Sequence, residues 1–259
     1  MGTKLQVIGG GKMGQALIGG LIGDWAEPGE ITVVDVSADQ RAAVTETFSG
    51  VVVAETPVDG VDTVIAVKPH FVAEVCGSIH PTRVMSIAAG VTIAAMEEIL
   101  PGIPVVRAMP NTPALVGAGI SGVAAGTNAT DSDLDWAVSI LSAVGRTVVV
   151  SESQLDAVTG MSGSGPAYLF LVAEAMTDAG VRKGLPRPVA AELAINTIYG
   201  AGKMMVETGT SPVDLRAAVT TPAGTTAAGL AALEDHGLRA AISAAVGAAT
   251  ERSIEIGQS

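Results

Sequence analysis

Residues 7–21 read VIGGGKMGQALIGGL, and this stretch decides the fold of the amino-terminal half. Gly9, Gly11 and Gly14 form the pattern G-x-G-x-x-G directly after an apolar run and at the start of a helical pattern. In such a strand–turn–helix unit the first glycine permits a tight turn, the second lets the backbone approach a pyrophosphate, and the third lets the helix pack close to the sheet. The pattern predicts a dinucleotide site, and a purely structural turn is the alternative.

An acidic residue follows at the end of the next apolar run, ITVVDV (31–36). Asp35 lies about 20 residues after Gly14, where a carboxylate can bind the 2′-hydroxyl of an adenosine ribose and would repel a 2′-phosphate. Asp35 by itself therefore favours NADH over NADPH. Ser37 and Arg41 could offset that preference, although Arg41 alone also fits a solvated helix charge. The sequence leaves the choice of cofactor open.

The two halves of the chain follow different patterns. From Lys4 to about Val150, short apolar runs alternate with Ala-rich helical stretches, which predicts an α/β Rossmann fold with a doubly wound, mostly parallel sheet. The remaining residues predict an all-α carboxyl-terminal domain, so we expect domains at 1–151 and 152–259. The expected strands are 5–9, 31–36, 51–54, 62–68, 83–89, 105–109 and 146–150. The expected helices of the second half are 153–160, 165–179, 187–207, 212–219, 226–235 and 238–256, with Gly180 just after the second.

Composition limits the partners and the compartment. The formal net charge of −12 disfavours nucleic acid and anionic membranes, because the overall field repels phosphates. Cys76 is the single cysteine, which excludes an internal disulfide and fits a reducing compartment. His70, His80 and His236 lack the spacing of metal ligands, so we expect no metal. No apolar stretch reaches the ~20 residues of a spanning helix, and a glycine-rich turn replaces the apolar run of a signal peptide. We therefore expect a cytoplasmic protein.

Three loops should line the reactive end of the cofactor, since that end lies at the carboxyl edge of the strands. They read AVKPH (66–70), SIAAG (86–90) and RAMPNTP (107–113) and contain no nucleophile motif or paired acid. A hydride transfer that needs no strong protein acid is therefore expected. Lys68 could be catalytic, but an X-Pro corner formed with Pro69 is equally open. The expected cofactor contacts are Gly9, Gly11, Lys12, Met13, Gly14, Asp35, Ser37, Val67, Lys68, Pro69, Ala88, Ala89, Met109 and Asn111.

A second unusual stretch is VTTPAGTTAAGL (219–230), where four threonines and a Pro-Ala-Gly break separate helical stretches. Thr225 and Thr226 stand at the amino end of the helix expected over 226–235. Backbone N–H groups there, together with the hydroxyls, could form a pocket for a small carboxylate. A plain helix cap is the alternative, but one hydroxyl would suffice for a cap.

Taken together, the motifs resemble those of the pyrroline-5-carboxylate reductase family over essentially the whole chain. The matching segments are VIGGGKMGQALIGGL, AVKPH, SIAAGV, RAMPNTPALVGAG, SGSGPAY (162–168) and TTPAGTT (220–226). The resemblance implies NAD(P)H-dependent reduction of (S)-1-pyrroline-5-carboxylate to L-proline, the last step of proline biosynthesis. It also implies a helical domain that interlocks with a partner chain, in homo-oligomeric dimers that often assemble further into decamers.

The resemblance also assigns residues to the substrate. Thr226 lies beside the ring nitrogen as the catalytic residue, and the carboxylate is surrounded by Thr220, Thr221, Gly224 and Thr225. A protonated imine is already electrophilic, so hydride can attack its carbon without a lysine or histidine acid.

One departure from the family and two alternative functions remain. The family usually has Pro-Gly-Gly where this chain has Pro222-Ala223-Gly224, so alanine would strain the loop if position 223 needs a positive φ. A reductase of another cyclic imine or a small keto acid is one alternative, with Lys203 or Lys183 as a helix-borne acid. A cofactor-binding regulator without turnover is the other, and it would lose the threonine pocket.

Overall fold

The computed structural model describes residues 2–258 and contains one eight-stranded sheet in the order β3-β2-β1-β4-β5-β6-β7-β8. Neighbouring strands are parallel, apart from β6 and β7. The strands are β1 (Leu5–Ile8), β2 (Ile31–Val34), β3 (Val52–Ala54), β4 (Asp62–Ile65), β5 (Val84–Ser86), β6 (Val105–Met109), β7 (Gly119–Ala125) and β8 (Gly145–Val149). The predicted doubly wound α/β fold is confirmed.

Helices cover both faces of this sheet. Alternate residues of β1 show it: Leu5 and Val7 are buried in one apolar cluster, whereas Ile8 is buried in another. Side chains on a strand alternate between faces, so both faces carry a core, as expected of parallel strands that are apolar throughout. The covering helices are α1 (Lys12–Leu21), α2 (Ala38–Thr47), α3 (Val72–Gly77), α4 (Ile93–Ile99) and α5 (Asp131–Ser142).

Strand β7 is absent from the sequence-based prediction, because its segment GISGVAA is rich in glycine and alanine, which have low strand propensity. It lies antiparallel to β6 and parallel to β8. Small residues are required there, since a Cβ on Gly122 would lie 2.9 Å from Cγ1 of Val158 in the short helix α6 (Leu155–Val158). Tertiary packing therefore overrides local propensity in this strand.

The first compact unit comprises Met1–Ser164 and Gly247–Ser259, and the second comprises Gly165–Val246. The first unit thus extends past the boundary predicted at residue 151. Leu155 is fully buried in the sheet cluster, and Glu152 accepts hydrogen bonds from the Ile93 N–H (2.6 Å) and from Nη1 of buried Arg107 (3.1 Å). These contacts hold the start of the predicted helical domain to the sheet.

The second unit is all-helical, as predicted. It contains α7 (Gly165–Arg182), α8 (Arg187–Thr208), α9 (Pro212–Ala218), α10 (Thr225–Asp235) and the first part of α11 (Leu238–Gln258). The prediction that Gly180 follows the end of α7 is wrong, because the helix continues to Arg182 and Gly184 takes the positive φ of +94°. Gly180 instead permits close packing of α7 on α8, since a Cβ there would lie 3.1 Å from Cβ of Ala190. Within residues 2–258, every helix is too short or too polar to cross a bilayer.

Candidate active site

The glycine turn connects β1 to α1 and leaves its backbone open at one position. Gly9 has φ +111°, and a Cβ on it would lie 2.5 Å from the Ala66 carbonyl oxygen. A Cβ on Gly14 would collide with the Gly9 carbonyl oxygen. Around a Cβ on Gly11, by contrast, no atom from elsewhere in the described chain lies within 4 Å. The three positions therefore have the geometry of a tight turn, an open backbone and a close helix contact, which fits a bound pyrophosphate.

The amino end of α1 can hold an anion. Gly11 is its N-cap, and among the described residues no side chain caps the helix. The first N–H groups of a helix have no partner within it, and together with the helix dipole they favour negative charge. Lys12 and Met13 form the first positions of this helix. Uncapped N–H groups beside the open Gly11 backbone fit the local anion site expected in an acidic protein.

Asp35 joins the loop after β2 to the glycine turn. Its Oδ2 accepts a hydrogen bond from the Gly10 N–H (2.8 Å), and its Oδ1 accepts one from the Ser37 N–H (2.8 Å). Arg41 Nη1 donates to the carbonyl oxygens of Asp35 (2.7 Å) and Val36 (3.0 Å), so Arg41 is a loop anchor and not the solvated charge considered above. A carboxylate has about four acceptor sites, which leaves capacity for a ribose hydroxyl.

A cavity of about 320 Å³ lies beside the glycine turn, and the three predicted loops contribute most of its wall. The lining is largely apolar, as is typical of a cofactor pocket that excludes water. The predicted residues that line it are Met13, Val67, Pro69, Ala88, Ala89, Met109 and Asn111. Lys68 is exposed and does not line it; its extended backbone precedes a short 3-10 turn that begins at Pro69, which favours the corner interpretation.

Further lining residues were missed by the sequence analysis: Ala66, Ile87, Pro110, Thr112 and Gly163. The first four lie in or beside residues that the three loop motifs already indicated. Gly163 comes from a π-helical turn, Thr159–Gly163, and a Cβ on it would lie 2.8 Å from Cε of Met109. The SGSGPAY motif was the available signal, but its approach to β6 depends on tertiary packing.

Asn111 fastens that π-helical turn to the RAMPNTP loop. Its Nδ2 donates to the Ser162 carbonyl oxygen (3.1 Å), and its Oδ1 accepts from the Ile120 N–H (3.0 Å). The side chain is 8% exposed. Both ends of the amide are therefore used to hold the cavity wall.

The threonine loop lies in the second unit, before α10. Gly224 is the N-cap of α10, and within the described residues no side chain caps this helix, so the plain-cap alternative is wrong. Thr220 donates its hydroxyl to the Arg216 carbonyl oxygen (2.5 Å). Of the four threonine hydroxyls in this loop, those of Thr221, Thr225 and Thr226 form no hydrogen bond within residues 2–258. Free hydroxyls beside uncapped N–H groups can bind a small carboxylate.

Position 223 of the loop has the positive φ at which the sequence analysis expects alanine to be strained. Ala223 has φ +59°. It is the third residue of a turn closed by a hydrogen bond from the Gly224 N–H to the Thr221 carbonyl oxygen (3.0 Å). A Cβ on Gly224 would collide with Oγ1 of Thr221, so a larger residue there would require the Thr221 side chain to move.

Other candidate groups have structural roles. Cys76 is 1% exposed, and burial raises the pKa of its thiol to about 11, which makes it unreactive at neutral pH. The alternative acid Lys203 is 51% exposed, with Nζ 3.6 Å from Oε1 of Glu207 one helical turn away. Within residues 2–258 no three His, Cys, Asp or Glu side chains are grouped closely enough to hold a metal ion.

Comparison with known proteins decides the family. Residues 152–256 match the family model described as pyrroline-5-carboxylate reductase dimerisation, and residues 4–90 match the one described as NADP oxidoreductase, coenzyme F420-dependent. A pyrroline-5-carboxylate reductase of Corynebacterium melassecola is 44% identical over 99% of both chains. The chain belongs to the pyrroline-5-carboxylate reductase family. The resemblance of the motifs is confirmed.

Solved structures of pyrroline-5-carboxylate reductases agree with this family membership. The Coxiella burnetii reductase superposes with a TM-score of 0.90 at 35% identity and covers 99% of both chains. The Plasmodium falciparum reductase, solved with NADP bound, superposes with a TM-score of 0.83 at 29% identity and covers 98% of both chains.

Proposed function

We propose that this chain reduces (S)-1-pyrroline-5-carboxylate to L-proline with a reduced nicotinamide dinucleotide, as the last step of proline biosynthesis. The observation that carries the proposal is full-length 44% identity to a reductase of that name. The glycine turn, the apolar cavity and the free threonine hydroxyls support this proposal.

The cofactor would be held by the first unit. The pyrophosphate fits the open backbone at Gly11 and the uncapped start of α1. When bound, the reduced nicotinamide supplies the hydride. The cavity wall would keep water away from that ring, and Asn111 would hold the wall in place. NADPH is the proposed cofactor, as in the relative solved with NADP, and NADH is a usable alternative that Asp35 favours.

The substrate would be held by the threonine loop. Backbone N–H groups at the start of α10 and the free hydroxyls of Thr221 and Thr225 would bind the carboxylate, with Gly224 allowing close approach. Thr220 would border the pocket, since its hydroxyl proton is already donated to the Arg216 carbonyl oxygen. Thr226 would hydrogen-bond the ring nitrogen as it becomes an amine. Its hydroxyl forms no hydrogen bond to the rest of the described chain, so it is available for that contact. These groups position and solvate an imine that is already electrophilic when protonated.

The helical unit would dimerise. The matched model for residues 152–256 is described as a dimerisation domain, and α7 and α8 carry large apolar side chains that are more than half exposed. Large exposed apolar patches mark interaction surfaces. We propose a homodimer through this unit, with a decamer as a further assembly of such dimers.

The test is a direct assay. The purified protein is mixed with NADPH and pyrroline-5-carboxylate, loss of reduced-nicotinamide absorbance is followed, and proline is quantified. We expect one proline for each NADPH consumed. Faster turnover of a small keto acid or another cyclic imine would favour the alternative reductase, and cofactor binding without turnover would favour the regulator.

A further inference from the structure

The turn in the threonine loop has alanine where its backbone geometry favours glycine. A hydrogen bond from Gly224 N–H to the Thr221 carbonyl oxygen closes a four-residue turn, with Pro222 second and Ala223 third at φ +59°. Proline at the second position and a positive φ at the third are features of a type II turn, in which the third residue is usually glycine. Within residues 2–258, Ala223 is the one non-glycine residue with a positive φ.

The surroundings of Ala223 do little to offset the strain. Its side chain is exposed, so the left-handed conformation does not bury it. Pro222 has a fixed negative φ, so it cannot take over the positive φ of the turn. A non-glycine residue in this region is disfavoured, and the turn is closed by a single backbone hydrogen bond. The formed loop therefore has a conformational cost that glycine at position 223 would avoid.

We propose that Ala223 is a positioning residue that weakens substrate binding by lowering the fraction of free enzyme whose loop is formed. This inference rests on the proposed function, in which the loop binds the substrate carboxylate. The apparent dissociation constant rises as the binding-competent fraction falls. Once the substrate is bound the loop geometry is the same, so hydride transfer is unaffected. Residue 223 thus sets KM and leaves kcat unchanged.

The test is a graded series at this position. Ala223→Gly should lower KM for pyrroline-5-carboxylate about 3- to 10-fold, with kcat and the KM for NADPH unchanged. Ala223→Asn should fall between glycine and alanine, because asparagine tolerates the left-handed region. Ala223→Val should raise KM, because a β-branched residue is poorly accommodated there. The dissociation constant of proline, measured by calorimetry with oxidised cofactor present, should follow the same order.

Gly209→Ala is the matched control. Gly209 has φ +63° at the end of α8, outside the threonine loop, so alanine introduces the same strain elsewhere. It should lower the thermal midpoint and leave KM unchanged. Wild-type protein without reductase activity would overturn the proposed function. An active wild type whose KM and proline affinity do not change across the Ala223 series would overturn this inference alone, as would an equal KM change in Gly209→Ala.

Discussion

At the scale of single residues, the site depends on which polar groups the fold leaves unused. In the threonine loop, Thr220 is engaged with the Arg216 carbonyl oxygen, whereas Thr226 makes no hydrogen bond within the described chain. On the cofactor side both Asp35 oxygens already accept backbone N–H groups. A free group can act mainly on a ligand, whereas an engaged group also supports the fold. Substitutions at the two kinds of residue should therefore differ in their effect on stability.

Removing the Thr226 hydroxyl should slow the reaction without unfolding the protein. Its bond to the substrate nitrogen would strengthen toward the transition state, so its loss lowers kcat more than it weakens ground-state binding. We expect Thr226→Val to lose roughly 10- to 150-fold in kcat/KM, or about 1.5–3 kcal/mol, with cofactor affinity unchanged. Thr226→Ala should be equally slow. Steady-state kinetics checks this against Thr208→Val, which removes an exposed hydroxyl outside the loop. Near-normal kcat in Thr226→Val would transfer the role to Thr221 or Thr225.

Replacing Asp35 should change cofactor preference. Asp35→Ser removes the charge that repels a 2′-phosphate, so the ratio of kcat/KM values should shift toward NADPH. The thermal midpoint should also fall, because serine cannot accept from both Gly10 and Ser37. Kinetics with each cofactor and a melting curve give both values. Asp39→Ser removes an exposed charge in the first turn of α2 and controls for the effect of net charge on cofactor preference. An equal shift toward NADPH in Asp39→Ser would mean that Asp35 does not contact the ribose.

At the scale of structural elements, one glycine of the glycine turn is needed for packing and another for the proposed binding of the cofactor. Gly14 is required because the Gly9 carbonyl oxygen occupies the position of its Cβ, whereas the space above Gly11 is open. Gly11 also has φ −70°, which alanine adopts readily. Gly11 and Gly14 of one motif thus meet different physical demands.

That difference predicts opposite behaviour for two similar variants. Gly11→Ala should keep wild-type stability and lose cofactor affinity, since its methyl group would occupy the approach to the pyrophosphate. Gly14→Ala should lower the free energy of unfolding, because α1 must move away from the turn. Urea denaturation without cofactor and a fluorescence titration with NADPH measure the two effects. A Gly11→Ala protein that binds NADPH normally would place the pyrophosphate elsewhere.

Helix α5 begins with a charged cap that should make part of the stability depend on pH. Burial raises the pKa of Asp133, but hydrogen bonds from the Thr130 N–H and hydroxyl and the Arg83 charge outweigh this and hold the pKa below its ordinary value. A lowered pKa stabilises the folded state above the unfolded value of about 4, and this contribution is lost as pH falls through the folded value.

The corresponding variant is Asp133→Asn. It should lose about 1–2 kcal/mol of unfolding free energy at pH 7, because the amide is uncharged and, with its oxygen on the two Thr130 donors, it turns an NH2 group toward Nη1 of Arg83. The difference in unfolding free energy between this variant and wild type should narrow as pH falls below about 4. Urea denaturation at pH values from 7 to below 4 measures this difference. Asp131→Asn, an exposed acid in the same first turn, should show a smaller difference; a gap for Asp133→Asn that stays constant with pH would contradict the assignment.

At the scale of the whole molecule, α7 shows that the chain alone leaves apolar surface uncovered. Leu169, Phe170 and Leu171 are consecutive and are 54%, 63% and 66% exposed. Successive helical residues are about 100° apart, so these three side chains extend around more than half of the helix. A helix that is apolar around its circumference is normally buried. A second copy of the chain, interlocked with the first, is the proposed cover.

The prediction is that the protein sediments as a dimer or larger assembly at micromolar concentration. Phe170→Glu should shift it toward monomer and lower its thermal midpoint, because a charge would enter the apolar interface. Val52→Glu, at a 45% exposed position in β3, should leave the assembly intact. Analytical ultracentrifugation distinguishes these cases. A stable, active wild-type monomer would show that the apolar surface of α7 has another role.

Local chemistry allowed much of the fold and several site segments to be predicted from the sequence. Strand β6 has the predicted bounds, and α8 and α10 lie within a residue or so of their predicted ends, because apolar periodicity, proline and glycine act over a few residues. The three loops around the cavity followed from the same logic, since the carboxyl ends of parallel strands share one edge.

Packing between distant segments decided the rest. Strand β7 needs small residues because α6 lies against it, and Gly163 reaches the cavity because Asn111 holds a π-helical turn 51 positions along the chain. The sequence raised the possibility of strain at Ala223, but only the fold showed that its φ is positive. Such features depend on which atoms are brought together by burial of the whole core, and no short window of sequence contains that information.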